Sequence, residues 1–121
     1  MANHLRGRSD FQKVYRKGRR YEGSFITVFV LANNDTCHSF GVTASRKALG
    51  NAVARNRAKR LLRESFRLSN SWLTELKGNY DWVLNAKSRL AGRKLGTAFY
   101  ELTGIIQKVA EDETRTSLKL S

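Results

Sequence analysis

Residues 9–17 place their apolar side chains three and four positions apart, which is the spacing of one face of an α-helix. These apolar side chains are Phe11, Val14 and Tyr15. Ser9 and Gln12 fit a capping box at the start of the segment, and Gly18 is a natural stop at its end. The pattern therefore predicts a short helix near the N-terminus.

The next two segments carry apolar residues at every second position, as half-buried strands do. Residues 24–31 are rich in β-branched and aromatic types, and residues 39–45 repeat the alternation. One face of the first segment collects Ile26, Val28 and Val30, and the other collects Phe25, Thr27, Phe29 and Leu31. The turn signal Asn33-Asn34-Asp35 lies between the segments, so we predict an antiparallel hairpin. Residues 19–22 are compatible with a further short strand.

The clearest helical pattern spans residues 51–69. Its apolar face collects Ala54, Ala58, Leu61, Leu62, Ser65, Phe66 and Leu68. A Gly-Asn-Tyr break at 78–80 precedes a strand-like segment at 81–87, and a second amphipathic helix follows. That helix is marked by Leu95, Ala98, Phe99, Leu102, Ile105, Ile106 and Val109. The polar residues 111–121 are expected to fray, which leaves a core of about residues 5–110 in a single domain spanning 1–121.

Charge narrows the choice of partner. The 121 residues include 23 Lys and Arg against 10 Asp and Glu, a formal net charge of +13. This excess favours a polyanion, with nucleic acid as the first candidate and an anionic membrane surface as the second. No apolar run approaches the ~20 residues of a membrane-spanning helix, and the N-terminus lacks the apolar segment of a signal peptide. A single cysteine, Cys37, is expected to be an ordinary half-buried or loop thiol in a reducing cytoplasm.

The basic residues of the 51–69 helix concentrate on one side. The face opposite the apolar one carries Asn56, Arg60, Arg63 and Arg67, at i, i+4, i+7 and i+11. Lys59 flanks this row on one side, and Arg57 lies farther around the helix on the other. Arg55 falls at the border of the apolar face. Arginine presents a planar fork that bonds two phosphate oxygens at once, so the row is typical of a phosphate-binding surface. The amides at the helix N-terminus, after Gly50-Asn51, could meet an anion as well.

Two other interpretations of this helix stay open. A merely solvated charged face usually interleaves acids in i,i+4 pairs, whereas Glu64 is the only acid within 52–67. A membrane-surface helix needs an exposed apolar face, and here that face is needed to cover the sheet.

The aromatic residues Phe11, Tyr15 and Phe29 have two possible roles. They could stack on unpaired bases, since every base has a π-face, or they could belong to the core. No catalytic constellation accompanies them. The two histidines, His4 and His38, lie far apart in sequence and outside any metal-binding spacing, and no phosphate-binding glycine motif is present. These observations argue against an enzyme that acts alone.

Three segments, taken together, resemble one family. Residues 41–67, GVTASRKALGNAVARNRAKRLLRESFR, closely resemble the signature of the bacterial ribonuclease P protein subunit. That signature centres on Arg-Asn-Arg, matched by 55–57, and continues into Lys-Arg-x-x-Arg-Glu. Residues 10–18, DFQKVYRKG, resemble the family's N-terminal segment, and residues 81–87, DWVLNAK, resemble its later strand. The three occur in the expected order and cover residues 5 to about 110.

The resemblance implies an α+β fold, a two-layer sandwich in the order αβββαβα. Its mixed four-stranded sheet would contain a left-handed crossover through the basic helix, an exception to the usual right-handed rule. The resemblance also implies a role in ribonuclease P, which removes the 5′ leader of precursor tRNA and leaves a 5′-phosphate. The RNA subunit would carry the catalytic Mg²⁺ ions, and no cofactor or metal ligand is expected on this chain.

The implied partners are the ribonuclease P RNA and precursor tRNA, with no membrane and no obligate protein partner. The residues expected to lie against the catalytic RNA are Arg46, Lys47, Arg55, Asn56, Arg57, Lys59, Arg60, Arg63 and Arg67. Those expected to contact the single-stranded leader are Phe11, Tyr15, Phe29 and Lys87, where Lys87 replaces the family's usual arginine. No catalytic residue is expected. A general RNA-binding or ribosome-associated protein remains the main alternative, and a helix-turn-helix DNA-binding protein is a weaker one.

Overall fold

The structure, a computed structural model, describes residues 3–5 and 7–120 as one layer of strands covered by helices. The strands are β1 (Asn3–His4), β2 (Arg19–Glu22), β3 (Ile26–Ala32), β4 (Ser39–Thr43) and β5 (Tyr80–Ala86). The helices are α1 (Arg8–Lys17), α2 (Arg46–Leu49), α3 (Ala52–Leu68), α4 (Asn70–Thr74) and α5 (Leu95–Leu120), with a turn of 3₁₀ helix at Ser88–Leu90. No helix in this described part is long and apolar enough to cross a membrane.

The strands form one mixed sheet in the order β1-β4-β5-β3-β2. The predicted hairpin between residues 24–31 and 39–45 is wrong, because β5 lies between β3 and β4. Trp82, Val83 and Leu84 are fully buried, so β5 has apolar cover on both faces and takes the central position. The loop after β3 crosses the end of β5, where Asn33 Nδ2 donates to Asp81 Oδ1 at 2.9 Å.

The mixed α+β class is confirmed, with a fifth strand, β1, beyond the four expected. β1 pairs in parallel with β4 and covers its outer edge. β4 and β5 are parallel neighbours joined through α2, α3 and α4, so the crossover through the basic helix is present. Its left-handedness stays a prediction from the resemblance. The short strand at 19–22 is confirmed as β2, an edge strand antiparallel to β3.

One face of the sheet packs against α3 and α5 and forms the core. From the sheet, this core receives Ile26, Val28, Val30, Phe40, Trp82, Leu84 and Ala86. From the two helices it receives Ala58, Leu62, Phe66, Ala98, Leu102, Ile105, Ile106 and Val109. The predicted face of β3 and both amphipathic helices are therefore confirmed. Leu68 departs from the prediction, because it lies at the end of α3 and is 43% exposed.

The opposite face of the sheet is covered only in part, by α1. Val14 of α1 is fully buried against it. The predicted capping box is wrong, because Ser9 lies inside the first turn and Gly7 is the N-cap residue. The carbonyl oxygen of Gly7 already accepts from the backbone N–H of Asp10 and Phe11, so the helix begins before Ser9. The predicted end at Gly18 is confirmed.

The helix α5 continues well beyond residue 110. Asp112 accepts a hydrogen bond from the Tyr21 hydroxyl at 2.5 Å, and Glu113 accepts one from Tyr80 at 2.5 Å. Burial and the Asp112 hydrogen bond raise the pKa of Tyr21 to about 12, so the hydroxyl keeps its proton. The expected frayed tail is therefore wrong for residues 112 and 113, which anchor the helix to the sheet. Cys37 is free and partly buried, as predicted.

Candidate nucleic-acid interface

The side of α3 opposite its buried face lies on the surface of the molecule. We call the row Asn56, Arg60, Arg63 and Arg67 the arginine stripe, and all of these residues are exposed. The opposite side of α3 buries Ala58, Leu62, Ser65 and Phe66. The helix begins at a side-chain cap, where Asn51 Oδ1 accepts from the backbone N–H of Ala54 at 2.9 Å. One of the N-terminal amides is therefore already occupied.

Most of the stripe's charge is uncompensated. Arg67 pairs with Glu64 at 2.6 Å, and this hydrogen bond lowers the pKa of Glu64. Arg60 and Arg63 form no ion pair with any residue in the described ranges. Their guanidinium groups project into solvent with all of their donors available, which is the condition that phosphate binding requires.

The residues that flank the stripe are held in different ways. Arg57 donates from Nη2 to the carbonyl oxygen of Arg93 at 2.8 Å, which turns it toward the loop before α5. Arg55 is partly buried, as its position at the apolar border predicts, and its Nε lacks a hydrogen-bond partner. Lys59 is also partly buried. Of the predicted RNA-facing residues on α3, Arg55 and Lys59 are therefore less accessible than the stripe, whereas Arg57 is exposed but already hydrogen-bonded.

The remaining predicted basic pair lies on α2. Arg46 and Lys47 are both exposed on this single turn, which begins at the N-cap Ser45. The turn packs against α3 and so places the pair beside the N-terminal half of the basic helix. Ser45 and Ala48 also line a cleft on the other side of the sheet, so α2 links the two surfaces.

This cleft, of about 1080 Å³, opens on the sheet face that α1 leaves uncovered. Its floor is a row of polar side chains set by strand register, because Thr27 and Thr43 both pair with Asn85. Thr43 donates its hydroxyl hydrogen to Asn85 Oδ1, and the Tyr15 hydroxyl donates to the same oxygen at 2.9 Å. The floor can therefore offer hydrogen bonds as well as contact area.

The predicted aromatic residues meet where α1 crosses the sheet. Tyr15 is 38% exposed, and its ring lies edge-on to Phe29 with centroids 4.9 Å apart. Phe11 is half-buried and lies directly over Gly41 of β4. Arg20 lies 6.0 Å from the Phe29 ring. The structure thus brings Tyr15 and Phe29 into contact, while Phe11, one helical turn before Tyr15, packs over β4; Tyr15 is the most accessible of the three.

Lys87 lies at the far rim of the same cleft. Its Nζ donates to the carbonyl oxygen of Gly23 at 2.6 Å and lies 3.4 Å from Glu22. The adjoining loop is held by Glu101 of α5, which accepts from the backbone N–H groups of residues 24, 25 and 26 at 2.6–2.8 Å. Lys87 is therefore already engaged by protein oxygen atoms, which the sequence did not indicate.

Sequence reasoning missed several groups of this cleft. Arg89 and Arg93 lie over the Phe25 ring at 5.5 and 5.1 Å and add positive charge near the rim. Thr27, Thr43 and Asn85 form the polar floor. Asn85, a polar residue directly after the apolar run 82–84, was the available signal, but only the register shows that two threonines flank it.

The part of the chain that the structure describes shows no cluster of metal-binding side chains. Within residues 3–5 and 7–115, no group of three or more His, Cys, Asp or Glu side chains is placed to hold an ion. The two histidines are used in packing, His4 against Phe40 and His38 against Tyr80 and Trp82.

Comparison with known proteins decides the family. A family model described as Ribonuclease P matches residues 1–110. The chain belongs to the ribonuclease P protein family. It is 29% identical to the ribonuclease P protein component of Clostridium kluyveri over 104 residues, which cover 86% of this chain and 91% of that protein. It is 37% identical to the component of Clostridium novyi over 87 residues, or 70% of this chain and 74% of that one.

Solved structures of ribonuclease P proteins share the fold. The Staphylococcus aureus protein superposes with a TM-score of 0.71 at 27% identity, covering 91% of this chain and 96% of that one. The Thermotoga maritima protein superposes with a TM-score of 0.75 at 24% identity, covering 88% and 96%. The family predicted from the three sequence segments is thus confirmed, together with the fold class.

Proposed function

We propose that this chain is the protein subunit of ribonuclease P and that it binds the catalytic RNA and the 5′ leader of precursor tRNA. The observation that carries the proposal is the position of α2. This turn contacts the basic helix and also lines the cleft, so an RNA-binding surface and a cleft for a single strand adjoin each other. One small basic domain can therefore hold two RNA segments in a fixed relative position.

The arginine stripe is the surface for the catalytic RNA. Arg60 and Arg63 are exposed and unpaired within the described residues, and the exposed Arg46 and Lys47 extend the positive surface toward the cleft. Arginine forks bind phosphate oxygens in pairs, and each neutralised phosphate releases bound counterions. Assembly of the holoenzyme is therefore expected to weaken as salt rises.

The cleft is the surface for the leader. A base stacked on an aromatic side chain contributes ~1–3 kcal/mol, and ~1.4 kcal/mol corresponds to a tenfold change in affinity. The leader is present in precursor tRNA and absent from the mature product. Contacts from Tyr15, and from the accessible parts of Phe11 and Phe29, therefore favour substrate over product without any contact to the tRNA body.

In this proposal, the RNA subunit catalyses the hydrolysis. In the assembled enzyme, Mg²⁺ ions held by the RNA would activate the attacking water and stabilise the leaving oxygen. The chain supplies orientation and charge, since its net charge of +13 reduces the repulsion between catalytic RNA and substrate. We propose that this removal of the 5′ leader takes place in the cytoplasm, where precursor tRNA is made.

The test measures cleavage of precursor tRNA by a bacterial ribonuclease P RNA at low Mg²⁺, with and without the chain. We expect a large increase in rate with cleavage at the mature 5′ end. No increase, with the chain folded and still bound to RNA, would contradict the proposal and favour a general RNA-binding role. Cleavage by RNA-free protein would contradict the assignment of the chemistry to the RNA.

A further inference from the structure

Two arginines share one aromatic ring at the rim of the cleft. The guanidinium carbon atoms of Arg89 and Arg93 lie 5.5 and 5.1 Å from the centre of the Phe25 ring, as in cation–π contacts. Both arginines are exposed, and neither forms an ion pair with any residue in the described ranges. We call this pair the rim arginines. Two like charges are therefore held close together without an acidic partner in the part of the chain that the structure describes.

The ring and the loop that carry the rim arginines are both fixed by the protein. Phe25 packs against the core, its backbone N–H donates to Glu101 at 2.8 Å, and its carbonyl oxygen accepts from the backbone N–H of Lys87 at 3.0 Å. Leu90, which lies between the rim arginines in sequence, is fully buried, and its carbonyl oxygen accepts from the backbone N–H of Arg93 at 3.0 Å. Because their surroundings are ordered in advance, the rim arginines lose less freedom when they bind a ligand.

The rim arginines lie at the edge of the cleft, on its border with the basic helix. Arg89 lines the cleft itself, directly after Lys87 and Ser88. The carbonyl oxygen of Arg93 accepts from Arg57 Nη2 at 2.8 Å, which joins this loop to the first turns of α3. A strand that leaves the cleft at this edge therefore passes the rim arginines.

The donors that the rim arginines present suit phosphate groups. Each guanidinium carries five N–H donors in a planar fork, which matches two oxygens of one phosphate. The two acidic residues of the cleft already have protein partners. Glu22 pairs with Arg20 and Lys87, and Glu101 accepts from the backbone N–H groups of residues 24–26. Stacking on Phe25 uses the flat faces of the guanidinium groups and leaves their N–H edges available to an anion.

We infer that the rim arginines bind phosphates of the 5′ leader at the point where the leader leaves the cleft. The inference rests on the proposed function, because the cleft must first hold the leader. A polyanionic strand relieves the repulsion between two neighbouring guanidinium groups, and the position of Arg89 inside the cleft favours the leader over the catalytic RNA. Phosphate contacts carry no sequence information, so this one depends on the length of the leader and not on its bases.

The first test removes the charge of one leader phosphate at a time. Neutral methylphosphonate linkages are placed singly along the leader of a precursor tRNA, and binding to the assembled holoenzyme is measured. We expect one or two positions to weaken binding in the unaltered enzyme, and the same positions to have no effect when the chain carries Arg89→Ala with Arg93→Ala. The inference is overturned if no leader position is sensitive, or if the double variant is as sensitive as the unaltered enzyme.

The second test varies the length of the leader. The control is Lys77→Ala with Lys108→Ala, which removes two charges from exposed positions that do not line the cleft. We expect Arg89→Ala with Arg93→Ala to weaken binding of a long-leader precursor about two- to thirtyfold, the range for two exposed ion pairs. The slope of log affinity against log salt should fall by about 0.7 for each arginine, as for a single strand. Mature tRNA, and a precursor whose leader ends inside the cleft, should bind normally.

The outcomes separate this inference from the proposed function. If the unaltered chain fails to stimulate cleavage, the proposed function fails. If it stimulates cleavage but the arginine pair and the control pair bind the long-leader precursor equally well, only the rim contact is overturned. An equal loss for long leader, short leader and mature tRNA would overturn it in favour of a contact with the catalytic RNA or the tRNA body. Thermal unfolding checks the variants, and Arg89→Gln with Arg93→Gln, judged by the same outcomes, replaces the alanine pair if that pair does not fold.

Discussion

Trp82 donates its indole N–H to Nδ1 of His38 at 3.1 Å. The backbone N–H of Tyr80 donates to the same nitrogen at 3.0 Å. Nδ1 accepts hydrogen bonds only when it carries no proton, so the proton of the neutral ring lies on Nε2, 3.3 Å from the carbonyl oxygen of Leu73. His38 in its neutral form therefore joins the central strand β5 to the end of α4.

This arrangement predicts a loss of stability in mild acid. Burial lowers the pKa of His38, although the nearby Glu113 carboxylate opposes the shift. The unfolded chain takes up the proton near pH ~6.5, and the folded chain takes it up only at lower pH. The contribution of His38 to the free energy of unfolding therefore has its full value above pH ~6.5. It decreases as the pH drops below that value and stops decreasing below the folded-state pKa.

Urea denaturation at a series of pH values from neutral to mildly acidic measures this effect. His38→Gln is the control, since it removes the titrating ring while keeping an acceptor. The variant is expected to be less stable at neutral pH but to lose the His38 contribution to the pH dependence. Identical slopes in the variant and the unaltered chain would show that other groups cause the acid sensitivity.

Gly41 is predicted to be intolerant of any side chain. A Cβ at this position would overlap the Phe11 ring, which lies directly over it. Gly41→Ala should push α1 away from the sheet and destabilise the chain by about 1–3 kcal/mol, the usual cost of overpacking. Thermal unfolding measures the loss. The double variant Gly41→Ala with Phe11→Leu should recover part of it, and simple additivity would show that the two residues do not compete for space.

Sequence patterns predicted which segments form helices and strands better than they predicted which strands lie side by side. The periodicities of α3, α5 and β3 are local properties, and the structure confirms them. The hairpin prediction failed because a turn signal at 33–35 cannot report that β5, about fifty residues later, buries Trp82, Val83 and Leu84 and takes the central position between β3 and β4. Strand pairing is decided by long-range burial, which no short window contains.

The same distinction holds for the candidate sites. The arginine stripe follows from helical periodicity alone, so its members could be named in advance. The polar floor of the cleft could not be, since Thr27, Thr43 and Asn85 come from three strands and become neighbours only through the register.

The arginine stripe is predicted to control the salt dependence of assembly. Arg60→Ala and Arg63→Ala each remove an exposed guanidinium that has no ion pair within the described residues. Each lost phosphate contact should reduce the slope of log affinity against log salt by about 0.7–0.9. Binding to the ribonuclease P RNA is measured at several salt concentrations, with Lys108→Ala on the exposed side of α5 as a matched loss of charge. Unchanged slopes in both stripe variants would contradict the assignment.

Glu101 is predicted to hold the rim of the cleft in place. Its carboxylate accepts three backbone N–H groups from residues 24–26. Glu101→Gln replaces one accepting oxygen with an NH₂ group that faces those donors, and should cost about 1–3 kcal/mol. Hydrogen exchange of the amides at 24–26 measures the local loosening. Glu111→Gln, an exposed change on the same helix, is the control, and equal protection in both variants would contradict the prediction.

Tyr15 is predicted to distinguish precursor from mature tRNA by its ring rather than by its hydroxyl. Tyr15→Ala should weaken holoenzyme binding to precursor tRNA about tenfold or more, because one base stack contributes ~1–3 kcal/mol. Tyr15→Phe keeps the ring and loses only the hydrogen bond to Asn85, so most of the affinity should remain. Binding of both tRNA forms is measured for both variants, after circular dichroism has shown that α1 is intact. Because mature tRNA has no leader to stack, its affinity should not change; an equal loss for the two forms would mean that Tyr15 supports the fold or the catalytic RNA rather than the leader.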